Sequence, residues 1–131
     1  ADAEVQLEAA RAWSAWEGKT LSLLPDAERV TRFSEDHYAL AFARIECHYF
    51  VNRGFFDSDD QLIANAHRLR NIPGAIVHGR YDVVTPAKIA CDLSRSWPEA
   101  KLRIVADAGH AMTETGIVHE LIAATDGFAK D

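Results

Sequence analysis

Hydrophobic positions change their rhythm near residue 70. Upstream they recur every three or four residues. Val5, Ala9, Ala12, Trp13 and Trp16 form one such stripe, which predicts a helix over residues 3–17 with Gly18 as its stop. After a short leucine-rich piece, Leu40, Ala41, Ile45 and Tyr49 share one side of a second predicted helix over residues 36–51, closed by Asn52 and Gly54. Residues 59–69 read as a third helix.

Beyond Pro73, short apolar runs alternate with helical segments. Ala75, Ile76 and Val77 make one predicted strand and Leu102, Arg103, Ile104 and Val105 another, with helices expected over residues 86–97 and 114–124. Strand, helix, strand, helix is the order of a crossover in a parallel sheet. The expected fold is therefore α/β, with two parallel strands and flanking helices over residues 59–131, preceded by a helical unit over residues 1–58. Two strands are few for a parallel sheet, whose strands are normally covered on both faces and flanked by others. The pattern fits either a homodimer formed through exposed strand edges or the C-terminal part of a longer α/β protein. The helical beginning favours the second. No internal repeat is visible.

Composition narrows the partners. The chain has 131 residues, 48% hydrophobic and 26% charged, which excludes disorder and allows about two-thirds of the unfolded surface to be buried. A formal charge of −6 without any Lys/Arg run argues against nucleic acid and anionic membranes. Cys47 and Cys91 lack metal-ligand or disulfide-framework spacing and read as buried free thiols in a reducing cytoplasm. No window is apolar for long enough to span a membrane, and no ligand spacing involves His48, His78 or His119, so neither a metal nor a cofactor is expected.

The chemistry gathers where the two predicted strands end. Asp82 follows the first and the Ala108-Gly109-His110 triplet follows the second, 28 residues later than the acid. Ligands in open parallel sheets bind outside these strand ends. A carboxylate there accepts a hydrogen bond from Nδ1 of a histidine, fixes its tautomer and stabilises the imidazolium formed in catalysis. Each residue alone has a plainer reading, Asp82 as a helix cap and Gly109-His110 as a loop. Their joint placement favours the catalytic one. A nucleophile is missing, because Ser14, Ser22, Ser34, Ser58, Ser94 and Ser96 all lack the glycines of a G-x-S-x-G elbow.

The segments HGRYDVVTP, AGH, AWSAWEG and ARIECHYFVNRGFF together resemble the C-terminal portion of the proline iminopeptidase (prolyl aminopeptidase) family, serine hydrolases of the α/β-hydrolase fold. The resemblance runs over residues 10–128. It implies release of N-terminal proline from peptides by a Ser-Asp-His triad lying under a helical cap, with the serine upstream. Asp82 matches the triad acid and His110 the base. Glu17 and Glu46 match the cap carboxylates that hold the substrate's ammonium group.

Without the resemblance, Glu17 reads as a solvated helix end and Glu46 as a partner of Arg44 or His48. Trp13, Trp16, Tyr49 and Phe50 read as cap core. Two positions depart from the family, Thr85 where a cysteine is common and Cys47 where an asparagine is common. The same machinery also suits another hydrolase acting on esters or amides. A chain without a nucleophile also suits a non-catalytic binding or assembly module.

Overall fold

The computed structural model describes residues 2–130. Six α-helices and two strands follow one another as α1 (Ala3–Thr20), α2 (Ala27–Phe33), α3 (Asp36–Val51), α4 (Gln61–Ala64), β1 (Gly74–Gly79), α5 (Ala87–Ser96), β2 (Ala100–Val105) and α6 (Thr115–Phe128). The residues form two compact units. One comprises the chain up to Thr20 with Leu24–Asp59, the other Leu21–Leu23 with the chain from Asp60 onward.

In the first unit, caps set the helix starts. The Asp2 carboxylate accepts from the Glu4 amide at 2.8 Å, and the Asp26 carboxylate accepts from the Arg29 amide at 2.9 Å, opening α2. With seven residues, α2 is too short to show a periodicity, and the sequence reading passes over it. Gly18 does not stop α1, which continues to Thr20 with Gly18 buried beside Phe33.

The buried face of α1 carries Ala10, Ser14, Glu17 and Gly18, and that of α3 carries Ala39 and Ala43. This narrows the apolar stripes expected from the sequence, of which Trp13 and Leu40 pack against the cluster of Ala10, Ala39 and Ala43. Val5, Trp16, Ile45, Tyr49 and Phe50 are all more than half exposed. Small side chains let two helix backbones approach closely, so burial here follows size rather than hydrophobicity. Ser14 is fully buried, its hydroxyl directed at the Ala39 carbonyl at 3.4 Å. A second cluster stacks Phe33 against Tyr38 and Phe42, with centroids 4.7 and 5.4 Å away. Cys47 is exposed rather than buried. Past α3 the chain reverses through Arg53, Gly54 and Phe55, all at positive φ, with Phe55 braced by the rings of His48 and Tyr49.

In the second unit β1 and β2 run parallel, in register from Gly74 opposite Ala100 to Gly79 opposite Val105. Alternation places Val77 and Val105 on one face, where Ile117 and Leu121 of α6 cover them together with Ala108. Gly74 belongs to the other face, against the indole of Trp97 at the end of α5. Residues 59–69, expected as one helix, divide into α4 and a 3-10 turn, Ala66–Leu69. Asn65 marks the break, its side-chain amide donating to the Gln61 carbonyl at 2.7 Å.

The loops after the two strands are bound to each other. The Arg80 amide donates to the Val105 carbonyl and the Tyr81 amide to the Ala108 carbonyl, both at 2.9 Å. Gly79 makes this contact possible, since a Cβ there would lie 1.9 Å from the Gly109 oxygen and 2.6 Å from the Ala108 oxygen.

Two expectations follow from this architecture. Gly79→Ala must push backbone against backbone, so it is expected to cost about 2–3 kcal/mol, read as a lower urea midpoint at unchanged m-value. Among the described residues each strand also has one unpaired edge. The 131-residue chain alone is accordingly expected to self-associate, and sedimentation as a monomer at high micromolar concentration would count against edge pairing.

Candidate active site

Asp82 is built by its own turn. It leaves β1 three residues after Gly79, and its Oδ1 accepts the amides of Val84 and Thr85 at 2.9 and 2.8 Å, the turn that carries the chain into Pro86 and α5. The side chain is only 3% exposed. Its second oxygen, Oδ2, faces three groups: Nδ1 of His110 at 2.9 Å, the Thr85 hydroxyl at 2.9 Å and Nε2 of His78 at 3.4 Å. Asp82 is thus a turn residue rather than the cap of α5, whose N-cap is Pro86, and the turn leaves its second oxygen to His110.

His110 is held from the opposite side. Its amide and that of Ala111 both donate to the Leu21 carbonyl, at 2.8 and 2.7 Å. Glu114, which opens α6, accepts the Gly109 amide on one carboxylate oxygen at 2.8 Å and the Leu23 amide on the other at 3.1 Å. The loop bearing the histidine is therefore tied both to the start of the following helix and to Leu21–Leu23. The His110 side chain remains about one-third exposed, at 35%.

The electrostatics of Asp82 reflect these contacts. Burial pushes its carboxyl upward, but the Thr85 amide, the His110 ring and the Thr85 hydroxyl outweigh burial and hold it below the ordinary aspartate value. An ionised carboxylate only accepts, so the hydrogen between it and His110 sits on Nδ1. Nε2 of the ring is then the basic nitrogen. The same reasoning assigns a hydrogen to Nε2 of His78, which donates to the Thr85 carbonyl at 2.8 Å.

Sequence reasoning expected Asp82 and His110 to meet, as they do, but not the groups around them. Thr85 entered only as a departure from a family pattern, His78 was set aside for lack of ligand spacing, and Glu114 was noticed only as a helix start. A polar residue three positions after Asp82 was the signal available for Thr85, and an acidic residue four positions after His110 that for Glu114.

The remaining two candidates lie in the first unit. Glu17 is buried in α1, at 6% exposure. Glu46 in α3 is half-buried and accepts from the Trp13 indole N–H at 2.7 Å, so neither Arg44 nor His48 is the partner recorded for it. Trp13 in turn meets Trp16 and Phe50, with ring centroids 5.6 and 6.2 Å away. Among the described residues no group of three His, Cys, Asp or Glu side chains is arranged to hold a metal ion.

No family model matches the chain. Comparison with curated proteins is decisive in another way. The chain is 54% identical over 127 residues to a probable proline iminopeptidase from Leptolyngbya boryana, covering 97% of this chain and 40% of that protein. It is 55% identical over 128 residues to a proline iminopeptidase from Xanthomonas citri, 98% and 41% of the respective chains. With one from Arabidopsis thaliana it shares 52% identity over 125 residues, 95% and 33%. The chain spans about two-fifths of the length of the first two, at their C-terminal end. Its two parallel strands with flanking helices are those of the C-terminal part of an α/β-hydrolase, and over nearly its whole length the chain is similar to the C-terminal part of proteins named proline iminopeptidase.

Proposed function

We propose that Asp82 and His110 are the acid and base of a Ser-Asp-His triad in a protein that releases proline from the N-terminus of peptides. The observation that carries this reading is the 2.9 Å pairing of Asp82 Oδ2 with His110 Nδ1 beyond the adjoining ends of two parallel strands. Kinship with proline iminopeptidases supplies the substrate class.

The chemistry runs through Nε2. A serine contributed by the remainder of the relatives' length attacks the prolyl carbonyl, and His110 takes the serine proton as the C–O bond forms. The imidazolium returns that proton to the departing amine as the C–N bond breaks, and water hydrolyses the acyl ester by the same route. Asp82 stays ionised throughout and offsets the imidazolium charge. The proton moves only between serine, ring, amine and water, so no cofactor takes part.

Glu17 and Glu46 are assigned to the substrate's ammonium group, the first unit being part of a helical cap. A cation leaving water needs compensating negative charge. The indole bond from Trp13 orients the Glu46 carboxylate, and Glu17 is already out of solvent. A peptide with a blocked N-terminus has no charge to offer them. The two cysteines are unbridged, which suits a cytoplasmic protein, and among the described residues no helix is long and apolar enough to cross a membrane.

In the full-length protein, a chromogenic amide of proline is expected to be hydrolysed and its N-acetylated form not. Glu17→Gln and Glu46→Gln should raise KM at least tenfold with a smaller change in kcat. Equal turnover of the free and acetylated substrates would point instead to a general ester or amide hydrolase. The acid itself is tested in the 131-residue chain. Because Asp82 titrates lower folded than unfolded, its stabilisation is present above the unfolded value, about 4, and is lost as pH falls through the folded value. Urea unfolding between pH 6 and pH 3 should therefore show a smaller loss of stability in Asp82→Asn than in the unsubstituted chain.

A further inference from the structure

Thr85 turns its amide and its hydroxyl to the acid–base pair and its carbonyl to His78. Its amide donates to Asp82 Oδ1 at 2.8 Å and its hydroxyl to Asp82 Oδ2 at 2.9 Å. Its carbonyl accepts from His78 Nε2 at 2.8 Å, and its hydroxyl oxygen lies 3.2 Å from His110 Nδ1. We propose that Thr85 is a positioning residue of this pair, its hydroxyl holding His110 in the Nδ1-protonated form by donating to the acid while accepting part of the ring's Nδ1–H bond. This rests on the reading of Asp82 and His110 as acid and base.

The single hydroxyl hydrogen decides the matter. The ionised carboxylate only accepts, so the hydrogen points to Oδ2 and an oxygen lone pair faces the ring. Nδ1–H then shares its hydrogen between two oxygens. Were the proton on Nε2 instead, bare Nδ1 would face the carboxylate oxygen at 2.9 Å and the threonine lone pair at 3.2 Å, three acceptors with one hydrogen among them. Asp82 already sets one acceptor before Nδ1, and because the hydroxyl hydrogen stays on the charged oxygen, its stronger acceptor, the threonine oxygen sets a second, which adds to the cost of the wrong tautomer, the one in which Nε2 cannot accept a proton. A cysteine in this place has a weaker donor and a weaker acceptor in its thiol. Threonine adds a methyl group that restricts χ1 and keeps the oxygen between its two partners.

The test is a long-range ¹H–¹⁵N correlation of the His110 ring in the 131-residue chain, at a pH where the ring is neutral. The unsubstituted chain and Thr85→Ser are expected to show a protonated Nδ1 and an unprotonated Nε2. In Thr85→Val the two ¹⁵N shifts should move toward each other as tautomers mix, and the ¹³C titration midpoint of Asp82 should rise because a donor to its charged form is gone. Thr85→Ala serves if the valine variant does not fold. A hydroxyl-free variant with the unsubstituted ring pattern and Asp82 midpoint overturns the proposal. So does a serine variant that behaves like valine, because it would make the role steric. In the full-length protein Thr85→Val should lower kcat about tenfold to a hundredfold with KM held. If the full-length protein does not act on proline amides at all, the peptidase reading fails by itself and the ring measurement still decides the role of Thr85.

Discussion

A carboxylate buried to 3% survives in the charged form only if something replaces its lost water, and here four hydrogen bonds do so. Two come from backbone amides of the turn that Asp82 itself begins, one from the hydroxyl that ends that turn, and one from a histidine 28 residues away. The local three form a receptacle independent of the histidine. The Asp82 carboxylate is thus oriented chiefly by its own turn, and the His110 ring adds a bond from the neighbouring loop. This preorganisation is what an acid–base pair needs if its geometry is to cost nothing at the moment of reaction.

The second unit was the more legible half because its two signals reinforce each other. Short β-branched runs around Val77 and Val105 gave the strands, and a proline after Asp82 gave the start of α5. Placing an acid and a histidine just past successive parallel strands then required no long-range information beyond the topology. Their supports were illegible for the same reason. His78 meets the turn at the Thr85 carbonyl seven residues on, and Glu114 reaches Leu23 across 91 residues, a contact no local pattern encodes.

The first unit misled for a different reason. Helical periodicity located α3 correctly but only part of its buried face, since Leu40 packs against the cluster of Ala10, Ala39 and Ala43 while Ile45 and Tyr49 lie exposed. Hydrophobic pattern predicts burial when large side chains fill the gap between elements. It fails where two helices meet through small residues, as Ala10 and Ser14 of α1 do with Ala39 and Ala43 of α3. Large residues are then displaced outward, and exposed aromatics such as Trp16 and Phe50 flank Trp13 and its bond to Glu46.

Asp82 and His110 are therefore secured in unequal ways. Asp82 is fixed by contacts within three residues of itself, which form as soon as the turn does. The backbone around His110 depends on Leu21, whose carbonyl accepts two amides, and on Glu114, which holds Leu23 and Gly109 with one carboxylate. Contacts of long sequence separation form late in folding and carry a larger closure entropy. They are also the first to be lost in local opening. A displacement of the Leu21–Leu23 segment would free the histidine while leaving the charged receptacle intact. The Asp82–His110 bond, the Thr85 hydroxyl within reach of the ring, and the Arg80 and Tyr81 amides bound to the second loop join the two kinds of restraint.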